Sequence, residues 1–400
     1  MSSTTSDTAL PTSRSTFWRM AHPLWQMGFR PFYLLAAGFA ALSVPWWMLH
    51  YFGWHAVAPS VDVNWHMHEM VFGMAIAVIV GFLYTAARNW TGLATPTRSG
   101  LAALVAVWLA GRVAMLVAPQ ALAAPIDLLF LPCAAVPLYL VLKRSGNQRN
   151  LFLVVLLGLL TVANLLFHAA ALQWIALAST APIHAAILII VVIESVIGAR
   201  VIPMFTSNGA PGTKPVVHPK RDRVALGLMI GASLAWMVGL PAPAVAALAL
   251  AAACASLIRL IGWKPQRTRH VPLLWILHLS YAWIPVGFIL LAGAALGVVS
   301  ASAAFHALTV GSMGGLILGM MTRTALGHTG RPLKSGRVEF AIFCLIQLAA
   351  LTRLLAALNF DALRPTALWT AALCWSLAFA LYVGAYGPKL FAARIDGRAG

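Results

Sequence analysis

Five histidines, His66, His68, His168, His184 and His306, stand in four separate apolar stretches of the chain. Neutral imidazole ligates haem iron, copper or zinc, and an imidazole without a partner is costly in lipid. Asp and Glu number only nine in 400 residues, which argues against calcium or magnesium, ions that take oxygen ligands. Two of the histidines belong to Trp65-His66-Met67-His68-Glu69. On an α-helix a step of two residues turns about 200°, so this pair cannot face one site and would serve two adjacent centres. Thr161, Asn164 and His168 follow at i, i+3 and i+7, a polar stripe that must face protein or water. His184, Ile187, Val191, Glu194 and Gly198 share another stripe, with Glu194 about 15 Å from His184 along a helix. A carboxyl group at that depth is either a proton relay or a hydrogen-bonded structural group. His278 and Tyr281, at i and i+3, are a candidate second ligand or proton-path pair, with a hydrogen-bonded core pair as the plainer alternative.

The elements that must position these residues are membrane-spanning. With 61% hydrophobic and 9% charged residues and a mean hydropathy of +0.86, the chain has too little polar surface to cover a soluble globule. A formal charge of +18 would suggest nucleic acid in a soluble domain, but the basic residues are scattered through short connections between apolar runs. Nucleic acid is therefore not an expected partner; the lipid bilayer is. Residues 1–16 are polar and lack the apolar core of a signal peptide, so 1–22 is expected to be a disordered cytoplasmic tail. Residues 23–392 then form a single membrane domain, and 393–400 a second cytoplasmic tail. Cys133, Cys254, Cys344 and Cys374 all fall in apolar runs without CxxC or CxxCH spacing. That argues against a c-type haem, an iron–sulfur cluster and a disulfide framework, and leaves them as small buried apolar side chains.

About twelve runs are long enough to span a hydrocarbon core of roughly 30 Å. They fall near 31–53, 66–88, 99–118, 121–142, 150–173, 181–203, 223–240, 243–261, 272–297, 302–322, 338–357 and 365–388. Placed on alternate sides, all but Arg112, Arg353 and Arg364 of the 27 lysines and arginines gather on one side, so by the positive-inside rule both termini are cytoplasmic. The predicted fold class is thus an all-α integral membrane bundle of about twelve helices. This topology brings all five histidines near the outer ends of their helices. Arg112, Arg353 and Arg364 then become candidate partners for haem propionates. His50 and His55, at the outer end of the first helix, read as solvent-facing, and His22, His218 and His270 as lying in cytoplasmic connections. The second, sixth and tenth helices carry both outer histidines and polar inner ends, which places them at the centre of the bundle. Those inner ends hold Asn89 in Arg88–Gly92, Arg200 in Arg200–Thr206, and Arg323 and His328 in Arg323–Gly330. Gly311, Gly315 and Gly319 and, in the second helix, Gly73, Ala77 and Gly81 permit close helix contact, or room for a flat macrocycle.

Six separated motifs carry a resemblance: PLWQMGFRPFYLL at 23–35, WHMHEMVFG at 65–73, NWTG at 89–92, RVIPMFT at 200–206, LHLSYAWIPVG at 277–287 and HALTVGSMGG…MMTRTALGHTGRP at 306–332. In order and over the whole membrane region, they closely resemble the NnrS family of bacterial membrane proteins. The resemblance implies a haem- and copper-containing twelve-helix protein of the bacterial inner membrane, linked to nitric oxide metabolism, denitrification and protection against nitrosative stress. It also implies that His66, His68, Glu69, Arg200, His278, His306, Arg323 and His328 are motif positions. A looser, fold-level analogy is to haem-copper oxidases and respiratory nitric oxide reductases, whose ligand pattern this chain does not share.

The expectation is a membrane protein with one or two b-type haems, held by His66 or His68 with a partner such as His306, and a second metal on the remaining histidines. It would bind nitric oxide and reduce it to nitrous oxide, with protons passing Glu194 or Tyr281 and electrons supplied by quinol or a separate redox protein. Two alternatives stand beside this: a nitric oxide sink or sensor without turnover, and a twelve-helix transporter with a histidine-lined metal or proton route.

Overall fold

The computed structural model describes residues 21–54, 60–358 and 361–398. His55, Arg14 and Arg19, and most of the N-terminal tail, lie outside the described residues. The chain forms long helices joined by short connections: α1 Phe29–Tyr51, α2 Val63–Thr91, α3 Arg98–Val117, α4 Gln120–Arg144, α5 Gln148–Ala171, α6 Thr180–Gly209, α7 Pro219–Met237, α8 Ala242–Gly262, α9 Pro272–Ala295, α10 Ala301–His328, α11 Arg337–Ala357 and α12 Arg364–Phe391. All but α7 are long and apolar enough to cross a membrane. α7 has 19 residues and opens with Pro219-Lys220-Arg221-Asp222-Arg223, which leaves a shorter apolar stretch. Large aliphatic side chains stand outward on the bundle's flank, among them Val113, Val155, Leu250 and Leu377, as a lipid-facing surface requires.

Both chain ends meet at one end of the bundle. At the start of α1, Arg30 donates from Nη1 to the carbonyls of Leu390, 2.8 Å, and Ala392, 2.7 Å, at the end of α12. Arg394 Nη1 donates to His328 O at the end of α10, 3.1 Å. His22, expected in an open connection, is instead buried beside this junction, with Nδ1 accepting from Leu24 N at 3.2 Å as a cap on the first turn.

The most enclosed helices are α2 and α10, 83% and 78% buried over their apolar windows, against 39% for α1, α4 and α5. α6 lies beside both, as the polar ends of the second, sixth and tenth runs led us to expect, but α9 is also central, at 67%. Its place is made by small residues. A β-carbon at Gly311 would lie 2.4 Å from Trp283, and one at Gly319 would lie 2.8 Å from Leu277, both on α9. Close helix contact is therefore what these glycines provide.

Two features were not foreseen. α2 and α10 each contain a π-helical segment, Glu69–Ala75 and Ala307–Gly314, beginning directly after His68 and His306. Such wide turns are rare and occur frequently at functional sites. In α2 the widening frees the Gly73 carbonyl to accept from Trp108 Nε1 of α3 at 2.9 Å. Also, Cys133, Cys254 and Cys344 are exposed on the helix surface and only Cys374 is buried, so the expectation of four core cysteines holds for one. A thiol is apolar enough to face lipid, and periodicity within an all-apolar run does not separate the lipid face from the core face.

Candidate metal centre

α2 begins at Val63, with Asp62 as its cap: the carboxylate accepts from Trp65 N at 2.8 Å. His66 and His68 therefore both lie within the helix, and they point to different neighbours.

His68 is completely buried and faces α3, α4 and α5. Its Nδ1 donates to Glu69 Oε1 at 2.9 Å, and its Nε2 lies 2.9 Å from Asn164 Oδ1 and 3.2 Å from Asp127 Oδ2. Asp127 comes from α4 and is the hub of the group. Its Oδ2 accepts from Asn164 Nδ2 at 2.7 Å and from His168 Nε2 at 3.1 Å, and its Oδ1 accepts from Arg112. Arg112 also donates to both oxygens of Glu69, at 2.9 and 2.8 Å. Gln120 Nε2 donates to His168 Nδ1 at 2.8 Å, leaving His168 Nε2 directed at Asp127.

The donor set suits a transition metal. His68, Asp127 and His168 each offer one ligand atom, all within 4.8 Å of one another, and all three are buried. Two imidazoles and a carboxylate form a set that zinc, iron or copper accepts. His68 is oriented as ligating histidines usually are, its Nδ1–H held by Glu69 so that Nε2 faces the site. His168 would ligate through Nε2 with the Gln120 amide turned to present its oxygen to Nδ1. Hydrogen-bond counting points the same way. Both nitrogens of His68 face oxygen acceptors, so a neutral ring can satisfy only one of them. One more positive charge, a proton or a metal ion at Nε2, would also balance Glu69 and Asp127 against Arg112. Gly73 is part of the construction: a β-carbon there would lie 2.6 Å from Arg112 Nη1 and 2.9 Å from Glu69 Oε2.

His66 faces the other way. Its ring stacks on Trp47 of α1, with centroids 5.1 Å apart and planes 11° apart, and its Nδ1 is buried without a hydrogen-bond partner. His306 of α10 is within electrostatic reach of His66, His184 and Arg353. His306 Nδ1 donates to Ser302 O at 2.8 Å, which leaves Nε2 as the unprotonated, ligand-competent nitrogen of a neutral ring. Arg353 Nη2 donates to Ser302 Oγ at 3.2 Å. His184 lies flat on Phe305, 3.7 Å between centroids and 3° between planes. This second group suits haem or copper by donor type, with Arg353 the arginine at hand for an anionic substituent. Arg112 has its guanidinium engaged by Glu69 and Asp127.

The remaining candidates lie elsewhere. Glu194 accepts from Ser312 Oγ of α10 at 2.8 Å and borders a small apolar cavity of about 90 Å³ between α1, α2, α6, α9 and α10. Tyr281 accepts from Arg259 of α8, while His278 donates from Nε2 to Thr206 Oγ1 at 2.8 Å. Near the opposite end of the bundle, Arg323 lies over the Phe205 ring at 3.9 Å, His328 packs against Phe29, and Asn89 is exposed. Arg200 donates to Asn150 Oδ1 at 2.7 Å. Sequence reasoning missed Asp127 and Gln120. Asp127 had a usable signal, since it is the lone charge inside the apolar run 121–142.

Fold and site together define a multi-pass membrane protein with two histidine groups at one end of its bundle, one rich in carboxylates and one, among the described residues, without a paired carboxylate. The chain belongs to the NnrS family, whose model, described as NnrS protein, matches residues 23–394. No curated protein matches it.

Proposed function

We propose that this protein is a haem or metal protein of the bacterial inner membrane that captures nitric oxide and reduces it to nitrous oxide, protecting the cell against nitrosative stress. The observation that carries this reading is the divergence of His66 and His68 from one turn of α2 into two separate histidine groups. Haem b or copper, when bound, supplies a site for nitric oxide and one-electron chemistry. His66 and His306, with Arg353 beside them, would hold the haem; His68, Asp127 and His168 would hold the second metal. Two molecules of nitric oxide with two electrons and two protons give one nitrous oxide and one water. The electrons come from quinol or a redox protein. Glu194, enclosed between α6 and α10, is the group placed to pass protons.

The test is the visible spectrum of the purified protein, oxidised and dithionite-reduced, with and without nitric oxide, together with metal analysis and a nitrous oxide assay. Sharp reduced bands that shift with nitric oxide, lost in His66→Ala and His306→Ala, are expected. A featureless spectrum in haem-supplied preparations would overturn the haem assignment. A nitric oxide sink without turnover is the second reading. It is favoured by how far hydrogen bonds alone occupy the carboxylates of Glu69 and Asp127, which leaves a single histidine group for a cofactor.

A further inference from the structure

At the opposite end of α6 from His184, a cavity of about 870 Å³ opens between α5, α6, α7 and α8. Five basic side chains line it, Arg149, Arg200, Lys214, Arg223 and Arg259, against a single carboxylate, Asp222. That carboxylate is 4.0 Å from Arg259, too far for a hydrogen-bonded pair, so the positive charge around the cavity is not neutralised from within. Arg149 and Arg200 lie close enough to act on one another electrostatically.

Arg259 distinguishes this cavity from an ordinary basic surface. It is only 5% exposed, it donates to Ser195 and Tyr281, and its Nε is buried with no hydrogen-bond partner. A buried guanidinium with an unused donor, whose one carboxylate neighbour stands 4.0 Å away without a hydrogen bond, is costly unless an anion supplies what is missing. Arginine forks match the tetrahedral oxygens of a phosphate group, and basic pockets between transmembrane helices receive lipid headgroups. Exposed apolar side chains at the rim, Met204 and Val217, would suit adjoining acyl chains.

We propose that this cavity binds a phosphate-bearing anion, with Arg200, Arg223 and Arg259 as donors and Arg149 and Lys214 as supporting charge. The phosphate belongs either to an anionic phospholipid or to free phosphate. This assignment is independent of any cofactor, and it gives a role to Arg200 and the segment that follows it.

The full-length protein is delipidated in detergent, and its thermal unfolding is followed in three titrations: phosphatidylglycerol, phosphatidylcholine, and inorganic phosphate against chloride at matched ionic strength. Stabilisation by phosphatidylglycerol but not by phosphatidylcholine or phosphate identifies a lipid headgroup. Stabilisation by phosphate that phosphatidylglycerol does not exceed identifies the free anion. In either case the double variant Lys214→Gln/Arg223→Gln, at exposed positions that do not threaten the fold, weakens apparent affinity about tenfold or more. Arg259→Lys, which keeps the charge but loses the fork, weakens it less. Equal responses to phosphatidylglycerol and phosphatidylcholine with none to phosphate, or a double variant that responds like the parent, would overturn the proposal.

Discussion

His68 sits among two carboxylates, an arginine, an asparagine and a second histidine; His66, two residues earlier, sits against a tryptophan ring near His306 and Arg353. One turn of helix thus separates two different electrostatic settings. Around His68 nearly every polar atom has a partner, and the partners come from four helices, α2 to α5. Such a network fixes the relative positions of those helices whether or not a metal joins it. Around His66 and His306, among the described residues, no carboxylate is paired with either ring, one ring nitrogen is orphaned, and another ring is held by a backbone carbonyl so that its second nitrogen is available. The first group resembles a finished structural joint with metal-ligand chemistry; the second resembles a set of ligands awaiting a partner.

The largest expected effect follows from this contrast. His66→Ala and His306→Ala abolish the haem spectrum, whereas His68→Ala and His168→Ala leave its bands and remove a second, tightly bound metal measured by elemental analysis. Spectral loss in all four variants would merge the two groups into one centre. Next comes stability. Asp127→Ala leaves Arg112 Nη2, Asn164 Nδ2 and His168 Nε2 without their shared acceptor in the core, although Glu69 still holds Arg112, and lowers unfolding free energy by about 3–5 kcal/mol, the range for breaking a buried ion pair. His306→Ala breaks no ion pair and changes it much less. Equal unfolding midpoints for the two variants would remove the distinction between joint and ligand set.

Gly73→Ala is expected to be milder, about 1–3 kcal/mol, because the added methyl must displace the Arg112–Glu69 pair. Gly158→Ala, where nothing lies within 4 Å of the new carbon, serves as the neutral control. The smallest effect is remote from both groups. Asp396, held by hydrogen bonds from Arg394, has its carboxyl pulled from the ordinary 3.8 to about 2. The contribution of this clip is therefore complete above about pH 4 and is lost as pH falls through about 2. Limited proteolysis of residues 392–398 at pH 5 and about pH 1.5 should show release only at the lower pH in the parent, and at both in Asp396→Asn.

Much of this was legible before any coordinates. The apolar runs named each long helix to within a few residues, except that the inner ends of α6 and α10 extend about six residues further than hydropathy alone marks, since helices continue past the hydrocarbon. The opposed directions of His66 and His68 followed from helical rotation alone. What could not be read was the partner of each group. Glu69 was visible only as a motif residue, Arg112 only as a charge near one end, Asp127 only as a lone charge in an apolar run, and Gln120 not at all, because Asp127 and Gln120 reach His168 across 41 and 48 residues of sequence.

Sequence by itself determined the class of molecule, the helices and the histidines whose donor chemistry suits a metal, because hydropathy and helical rotation are local properties. Only the tertiary structure decided which carboxylate joins which histidine, that α9 is central, that π turns follow His68 and His306, and that Arg259 faces a cavity lined by five basic side chains and one carboxylate. Those outcomes depend on which side chains several packed helices bring within a few ångströms of one another, and no single stretch of sequence carries that information.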